Sequence, residues 1–381
     1  MGHTLSRHGP LAQSFFIPKP PLSEKNLPDQ TGKVCIVTGG NAGVGFEVCK
    51  ILYEHNATVY LAGRSEEKCK QAISSIVESI GAKTKPKGAL RFLKLDLADL
   101  ATIKASAEEF LRQETRLDWL CNNAGVMLAP AGSQGAQGHE LHMVTNCLGH
   151  WLFTHFLHPI LSSTAAGSPP HTVRVSWAGS VVIDLYSPKH GISLDTDGVP
   201  ALPLSDPQKL YAISKAGNLF YASEYGKRSR TQGPSIVSTC FNPGNLRTEL
   251  QRYVSPTRKM FQNLVLYPAI FGAYTELFSG FSREVTTEQN GCYIGPWGRV
   301  LDVRADVRAS CKSVEEGGNG IAKAFWEWSD RECRPYMCEN ECPYGQDGDT
   351  EVDLTESMKC FIRRWSTPDT LSTAQFRGTI A

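Results

Sequence analysis

What this 381-residue sequence lacks narrows its function first. It has no charge excess: 39 Lys and Arg stand against 38 Asp and Glu, a net charge of +1, so neither nucleic acid nor an anionic surface is its expected partner. It has no transmembrane span. The apolar stretch Leu264 to Tyr274 (LVLYPAIFGAY) is too short and is broken by Pro268, so it reads as a buried or substrate-facing helix pair. A secretory core is missing, because LAQSFFIP at 11–18 is short and Pro-flanked. There is no internal repeat. Metal motifs are absent as well: ten histidines include no H-E-x-x-H, and no acidic cluster completes a zinc set around His139, His142, His150, His155 and His158, which share one helical pattern. No metal is expected. Cys333, Cys338, Cys342 and Cys360 are spaced too irregularly to argue otherwise.

The residues present point to a large α/β protein. The hydrophobic share of 41% supplies a substantial core. Many of the twelve cysteines lie in apolar runs, as Cys35, Cys49 and Cys240 do, and read as buried free thiols of a cytoplasmic protein. MGHTLS fits a myristoylation pattern through Gly2 and Ser6, but the pattern is short and chance explains it better. A single acyl chain without a basic cluster would anchor only weakly.

Residues 1–30 form a polar, Pro-rich lead, and strands then alternate with helices. VCIVT (34–38), TVYLA (58–62), FLKLDL (92–97), LDWLCN (117–122), TVRVSW (172–177) and SIVSTCF (235–241) are the expected strands. Ser65 is expected to cap a helix that Gly81 ends, and a long helical pattern covers about 139–161. This alternation predicts a parallel, doubly wound sheet of Rossmann type over 31–330. Residues 331–381 are expected to be a mobile tail, since their acidic, turn-rich stretch has no helix or strand period.

Three patterns carry chemistry. The first strand runs into Thr38-Gly39-Gly40-Asn41-Ala42-Gly43-Val44-Gly45, a glycine-rich strand-to-helix turn that lets a pyrophosphate approach the helix N-terminus. The second strand ends Ala62-Gly63-Arg64 with no carboxylate for a ribose 2′-OH, and Arg64 can pair with a 2′-phosphate, which predicts NADP(H). Asp96, placed at the end of the third strand, has two readings: an acceptor for the adenine amino group, or a cap for the next helix. Tyr211 and Lys215 fall one helical turn apart, so an ammonium can stabilise phenolate and draw the Tyr pKa toward the working range.

With TGGNAGVG (38–45), NNAG (122–125), YAISK (211–215) and PG (243–244) in this order, the chain resembles the short-chain dehydrogenase/reductase family over about residues 30–330. LAGRS (61–65), TNCLGH (145–150) and PGNLRTEL (243–250) are similar to its retinol-dehydrogenase-like branch, and to fungal members that often serve secondary metabolism. The resemblance implies Tyr211 as acid–base, and Lys215 as holder of the nicotinamide ribose. It implies Asn146 as keeper of a proton-relay water, and Asn123, Ala124 and Gly125 as lining for the cofactor. Pro243, Gly244 and Thr248 would close over the carboxamide. The sequence departs from the family where the fifth strand should end in Ser-Ser. Aligning Arg174 with the basic residue that often opens this strand makes Ser180 the oxyanion donor, with Ser176 the rival. The turn-rich stretch 181–206 then reads as a substrate-side insertion. The residues Phe261 to Phe281 stand at the family's variable lid and suggest an apolar ketone, aldehyde or alcohol. A homo-oligomer is the family expectation. A cofactor-binding pseudoenzyme or sensor, and a lyase or epimerase on the same fold, are the rival readings.

Overall fold

The computed structural model describes residues 13–15, 17–81, 88–234, 236–247 and 266–337. Its centre is one sheet of eight strands. In chain order the elements are β1 (Val34–Thr38), α1 (Gly43–Glu54), β2 (Thr58–Gly63), α2 (Glu66–Ile80), β3 (Ala89–Lys94), α3 (Leu100–Gln113) and β4 (Trp119–Asn122). A π-helical stretch (Met143–Leu148) follows, leading into α4 (Gly149–Ala166), β5 (Arg174–Ala178), α5 (Val182–Tyr186), α6 (Pro207–Gln232) and β6 (Val237–Phe241). The chain closes with α7 (Ala269–Phe281), β7 (Tyr293–Gly295), β8 (Arg299–Leu301), α8 (Ala305–Ser310) and α9 (Ile321–Cys333). The strand order is β3-β2-β1-β4-β5-β6-β7-β8. All neighbours pair in parallel except β7 with β8. The order reverses between β1 and β4, and an open sheet binds ligands at the carboxyl ends of its strands at such a switch point.

β1, β4, β5 and β6 are buried along their whole length, which is why they read as apolar runs without alternation. Helix α2 starts and stops as expected: the Ser65 side chain accepts from the Lys68 amide, and Gly81 takes a positive φ. The third strand ends at Lys94, short of the expected boundary. Asp96 therefore sits beyond it in a turn, accepting from the Ala98 amide at 3.0 Å. The cap of α3 is Asp99, so the capping reading of Asp96 is wrong.

The apolar segment before Phe281 also has a different role from the one expected. Its described part is residues 266–268 and α7, and Ala273, Tyr274, Leu277 and Phe278 of α7 belong to the core together with Val44 and Val48 of α1. A Cβ on Gly272 would lie 2.3 Å from Leu246 and 2.9 Å from Val44, so the helix approaches its neighbours without a side chain there. A helix apolar around its circumference is buried in a core. The residues of α7 consequently say nothing about the substrate, whereas Leu266 ahead of them lines the cleft at the switch point.

One carboxyl is locked into that core. Glu276 on α7 is fully buried; its Oε2 accepts from the Cys121 thiol at 3.2 Å and it has no ion pair among the described residues. Burial pushes its carboxyl up from 4.5 to about 8. A raised folded pKa means that folding favours the protonated form. Stability is then full below the unfolded value and drains away as pH rises through about 8. Glu276→Gln is expected to raise the melting temperature by about a few degrees above pH 8 and to change little near pH 4.5, as paired thermal melts would read.

The first and last described segments join the same body. Leu27 of the lead lies in the core, and Gln13 is only 1% exposed. At the other end α9 packs Phe325 and Trp326 on Tyr221 of α6, and both Cys333 and Met337 are buried. Residues 331–337 thus belong to this body, where Cys333 Sγ reaches the Leu148 carbonyl at 3.8 Å. The rest of the expected tail lies outside the described residues.

Candidate functional site

A cleft of about 620 Å³ opens over the carboxyl ends of β1, β2, β4, β5 and β6. Its floor is the glycine-rich turn. Helix α1 begins at Ala42 with no side-chain cap and no acidic residue in its first turn, so its first amides are left for an anion. A Cβ on Gly45 would lie 2.7 Å from both the Gly39 carbonyl oxygen and Asn123 Nδ2, which requires glycine there. The turn is tied to the β4 loop. Asn123 Nδ2 donates to the Thr38 carbonyl at 2.8 Å, and the Ala124 amide donates to Thr38 Oγ1 at 2.9 Å. Gly39, Asn41, Gly43, Val44, Arg64, Asp96, Asn123, Ala124, Gly125, Pro243 and Gly244 all line the cleft. Thr38 and Gly45 stand behind it as supports, and Thr248 lies outside the described residues.

The acid–base residues meet at the end of β5. Ser180 and Tyr211 line the cleft together, and Ser180 Oγ accepts from the Val182 amide at 3.4 Å. Lys215 donates to the Ala178 carbonyl at 2.8 Å, and its ammonium is 5.6 Å from the Tyr211 ring centre. The rival Ser176 points elsewhere. It is fully buried inside β5, where it accepts from Trp119 Nε1 at 2.8 Å and from Ser279 Oγ at 2.6 Å. The expected lowering of the Tyr211 pKa is outweighed: burial pushes the phenol up to about 12, opposed by the Ser180 hydroxyl. Burial also draws Lys215 down to about 8. Both shifts have one cause, because a dry site disfavours either charge.

Asn146 lies in the π-helical stretch and uses its whole side chain. Oδ1 accepts from the Val126 amide at 2.8 Å, and Nδ2 donates to the Val126 carbonyl at 3.0 Å and to Ser214 Oγ at 2.9 Å. The side chain clamps the NNAG loop, and the main-chain carbonyl is engaged as well. That carbonyl accepts from His150 Nδ1 at 3.1 Å, so the His150 Nε2 must accept from Thr38 Oγ1 at 2.9 Å. Burial holds His150 neutral, its pKa drawn down to about 3.

Two features were not anticipated from the sequence. Lys68, on the first turn of α2, lines the cleft beside Arg64 and Ser65. The insertion 181–206 is pinned by Arg304, which donates to the Asp184 carbonyl at 3.2 Å and the Pro188 carbonyl at 2.6 Å. Val181, Val182 and Tyr186 of the insertion line the cleft with Met127, Leu128 and Leu141. No group of His, Cys, Asp and Glu among the described residues is arranged to hold a metal ion. No described helix is long and apolar enough to cross a membrane.

A Rossmann sheet with a tyrosine–lysine pair at its switch-point cleft defines a class of oxidoreductase, and comparison with known proteins names it. The short chain dehydrogenase model matches residues 33–169. A short-chain dehydrogenase/reductase of Phomopsis amygdali is 42% identical over 325 residues, covering 84% of this chain and 96% of that protein. An uncharacterised oxidoreductase of Schizosaccharomyces pombe is 37% identical, covering 72% and 80%. Among solved structures, an uncharacterised protein of Mycobacterium paratuberculosis superposes with a TM-score of 0.58 at 22% identity, covering 82% of this chain and 97% of that one. The chain belongs to the short-chain dehydrogenase/reductase family. The same fold serves a Shigella flexneri short chain dehydrogenase complexed with NADP (TM-score 0.52) and an NADH-dependent reductase of alginate metabolism (TM-score 0.52). The fold therefore leaves the cofactor's phosphate undecided.

Proposed function

We propose that this protein is an NADP(H)-dependent oxidoreductase that interconverts a carbonyl and an alcohol on a lipophilic small molecule. The observation that carries the reading is the convergence of Ser180, Tyr211 and Lys215 on one cleft that also holds the glycine-rich turn, with the Lys215 ammonium 5.6 Å from the Tyr211 ring centre. The cofactor, when bound, supplies or takes the hydride. In reduction, Ser180 donates a hydrogen bond to the substrate oxygen and Tyr211 gives it a proton. In oxidation, Tyr211 takes that proton back. Lys215 holds the ribose and carries the countercharge to phenolate. The apolar wall formed by Met127, Leu128, Leu141, Val181 and Val182 favours a lipophilic substrate. The relatives named above are fungal, which fits a tailoring step in secondary metabolism.

The NADP(H) preference rests on Arg64 and Lys68. Ser65 stands between them, and no carboxylate ends β2. A charge-assisted phosphate contact is worth about 1.5–3 kcal/mol, so NADPH is expected to exceed NADH in kcat/KM by roughly 10- to 150-fold. The pair Arg64→Leu and Lys68→Leu should abolish that preference while sparing NADH turnover. Installing an acid at Gly63 with Arg64→Ile is a harsher test, since a Cβ there would lie 3.1 Å from Cys69 Sγ. Equal use of both cofactors by the unmodified enzyme would overturn the assignment. A panel of carbonyls with NADPH tests the reaction class itself.

A further inference from the structure

We infer that the N-terminal arm completes the active site, with Gln13 as a positioning residue that ties together the two loops flanking the reacting groups. This rests on the function proposed above. The matched family segment begins at residue 33, so the arm lies outside it. Gln13 nevertheless sits in the interior, and its amide touches three separate elements. Its Nε2 donates to Asp184 Oδ2 at 3.1 Å. Its Oε1 accepts from Asn242 Nδ2 at 3.0 Å and from the Tyr293 hydroxyl at 3.2 Å.

Each contact leads toward the cleft. Asp184 is on α5, the first turn of the insertion after Ser180, and its other oxygen accepts from the Arg304 amide at 2.7 Å. Asn242 immediately precedes the Pro243–Gly244 loop, and its Oδ1 accepts from the Gly244 amide at 3.0 Å. Gly244 lines the cleft with a φ of +95°, in the region that glycine alone enters freely, so its position depends on the bonds that hold it. A path of hydrogen bonds thus runs from the arm through Gln13 and Asn242 into that loop, and a second runs through Asp184 into the segment behind Ser180. All four side chains are buried, so none can exchange a lost partner for water without cost. The glycine-rich turn and Arg64 make none of these contacts.

The test uses full-length protein with Gln13→Leu and Gln13→Glu. Leu keeps the approximate size and loses all three bonds. Glu keeps the acceptor for Asn242 and Tyr293 but sets a carboxylate against Asp184. With a carbonyl that the unmodified enzyme reduces, kcat/KM should fall roughly 10- to 100-fold for Gln13→Leu, the scale of a small misplacement of reacting groups. Gln13→Glu should fall in between. The NADPH dissociation constant, read by fluorescence, should stay within about threefold, since the phosphate contacts are elsewhere. Amide exchange at Gly244 should quicken in parallel. Unchanged kcat/KM in both variants overturns the inference. So does a loss that disappears when activity is assayed far below the melting temperature, because that is mere destabilisation. If Gln13→Leu does not fold, Gln13→Glu decides. If the unmodified enzyme reduces no carbonyl, the functional reading fails, and the Gly244 exchange rate still decides the role of Gln13.

Discussion

Tyr211→Phe is expected to lower carbonyl reduction by about 10²- to 10⁴-fold, with NADPH affinity nearly unchanged. The substitution removes the proton and keeps the ring of a residue that is only 6% exposed. Burial holds the phenol at about 12, so the unmodified Tyr211 stays protonated across the neutral range and is poised to donate. The pH dependence of reduction must then come from another group. Lys215, drawn down to about 8, loses its charge as pH rises through that value. The kcat/KM for NADPH, which reports the free enzyme, should be flat below about 7 and decline above about 8. A Tyr211→Phe enzyme with undiminished turnover would remove the tyrosine from the mechanism. A profile that rises with pH would mean that phenolate limits the rate.

Ser180→Ala is expected to cost about 10²- to 10³-fold in kcat, the scale of one lost oxyanion donor. It should leave melting nearly unchanged, because the side chain faces the cleft. Ser176→Ala should do the reverse. Its hydroxyl accepts from Trp119 and Ser279 in the core, so its loss strips two buried donors of their acceptor. Turnover per folded molecule should survive while the melting temperature drops. Steady-state kinetics and thermal melts of the two variants separate the roles. A dead Ser176 variant with a normal melt would mean that the oxyanion donor was placed four residues late.

Much of this was legible because it is local. A buried parallel strand followed by a glycine turn and a helix writes itself into consecutive residues, as at 34–54, and Tyr211 and Lys215 need only one helical turn. The place of Ser180 at the cleft was reachable because Arg174 opens β5 and fixes the count from there. What the sequence hid was non-local or too short. The π-helical stretch MVTNCL is apolar on most sides and shows no change of period. Strands β7 and β8 have three residues each, too few to alternate. Lys68 looks like any exposed helix lysine until α2 is placed at the mouth of the cleft. Helix α7 shows that apolar character reports burial but not which surface does the burying. Gln13 is the extreme case, a polar residue in a Pro-rich lead whose partners lie more than 170 positions away.

The fully interior cysteines give the molecule a built-in gauge of its own opening. Cys35 in β1, Cys121 in β4, Cys240 in β6 and Cys333 in α9 are all fully buried, and burial raises each thiol well above its ordinary range. Only thiolate reacts with an alkylating reagent, so each is silent in the native state for two reasons at once, access and charge. Each becomes reactive when its own element parts from the sheet. The order in which they are labelled would therefore trace the sequence of local unfolding, from α9 packed on α6 to β1 and β4 at the centre of the sheet, without a single engineered probe.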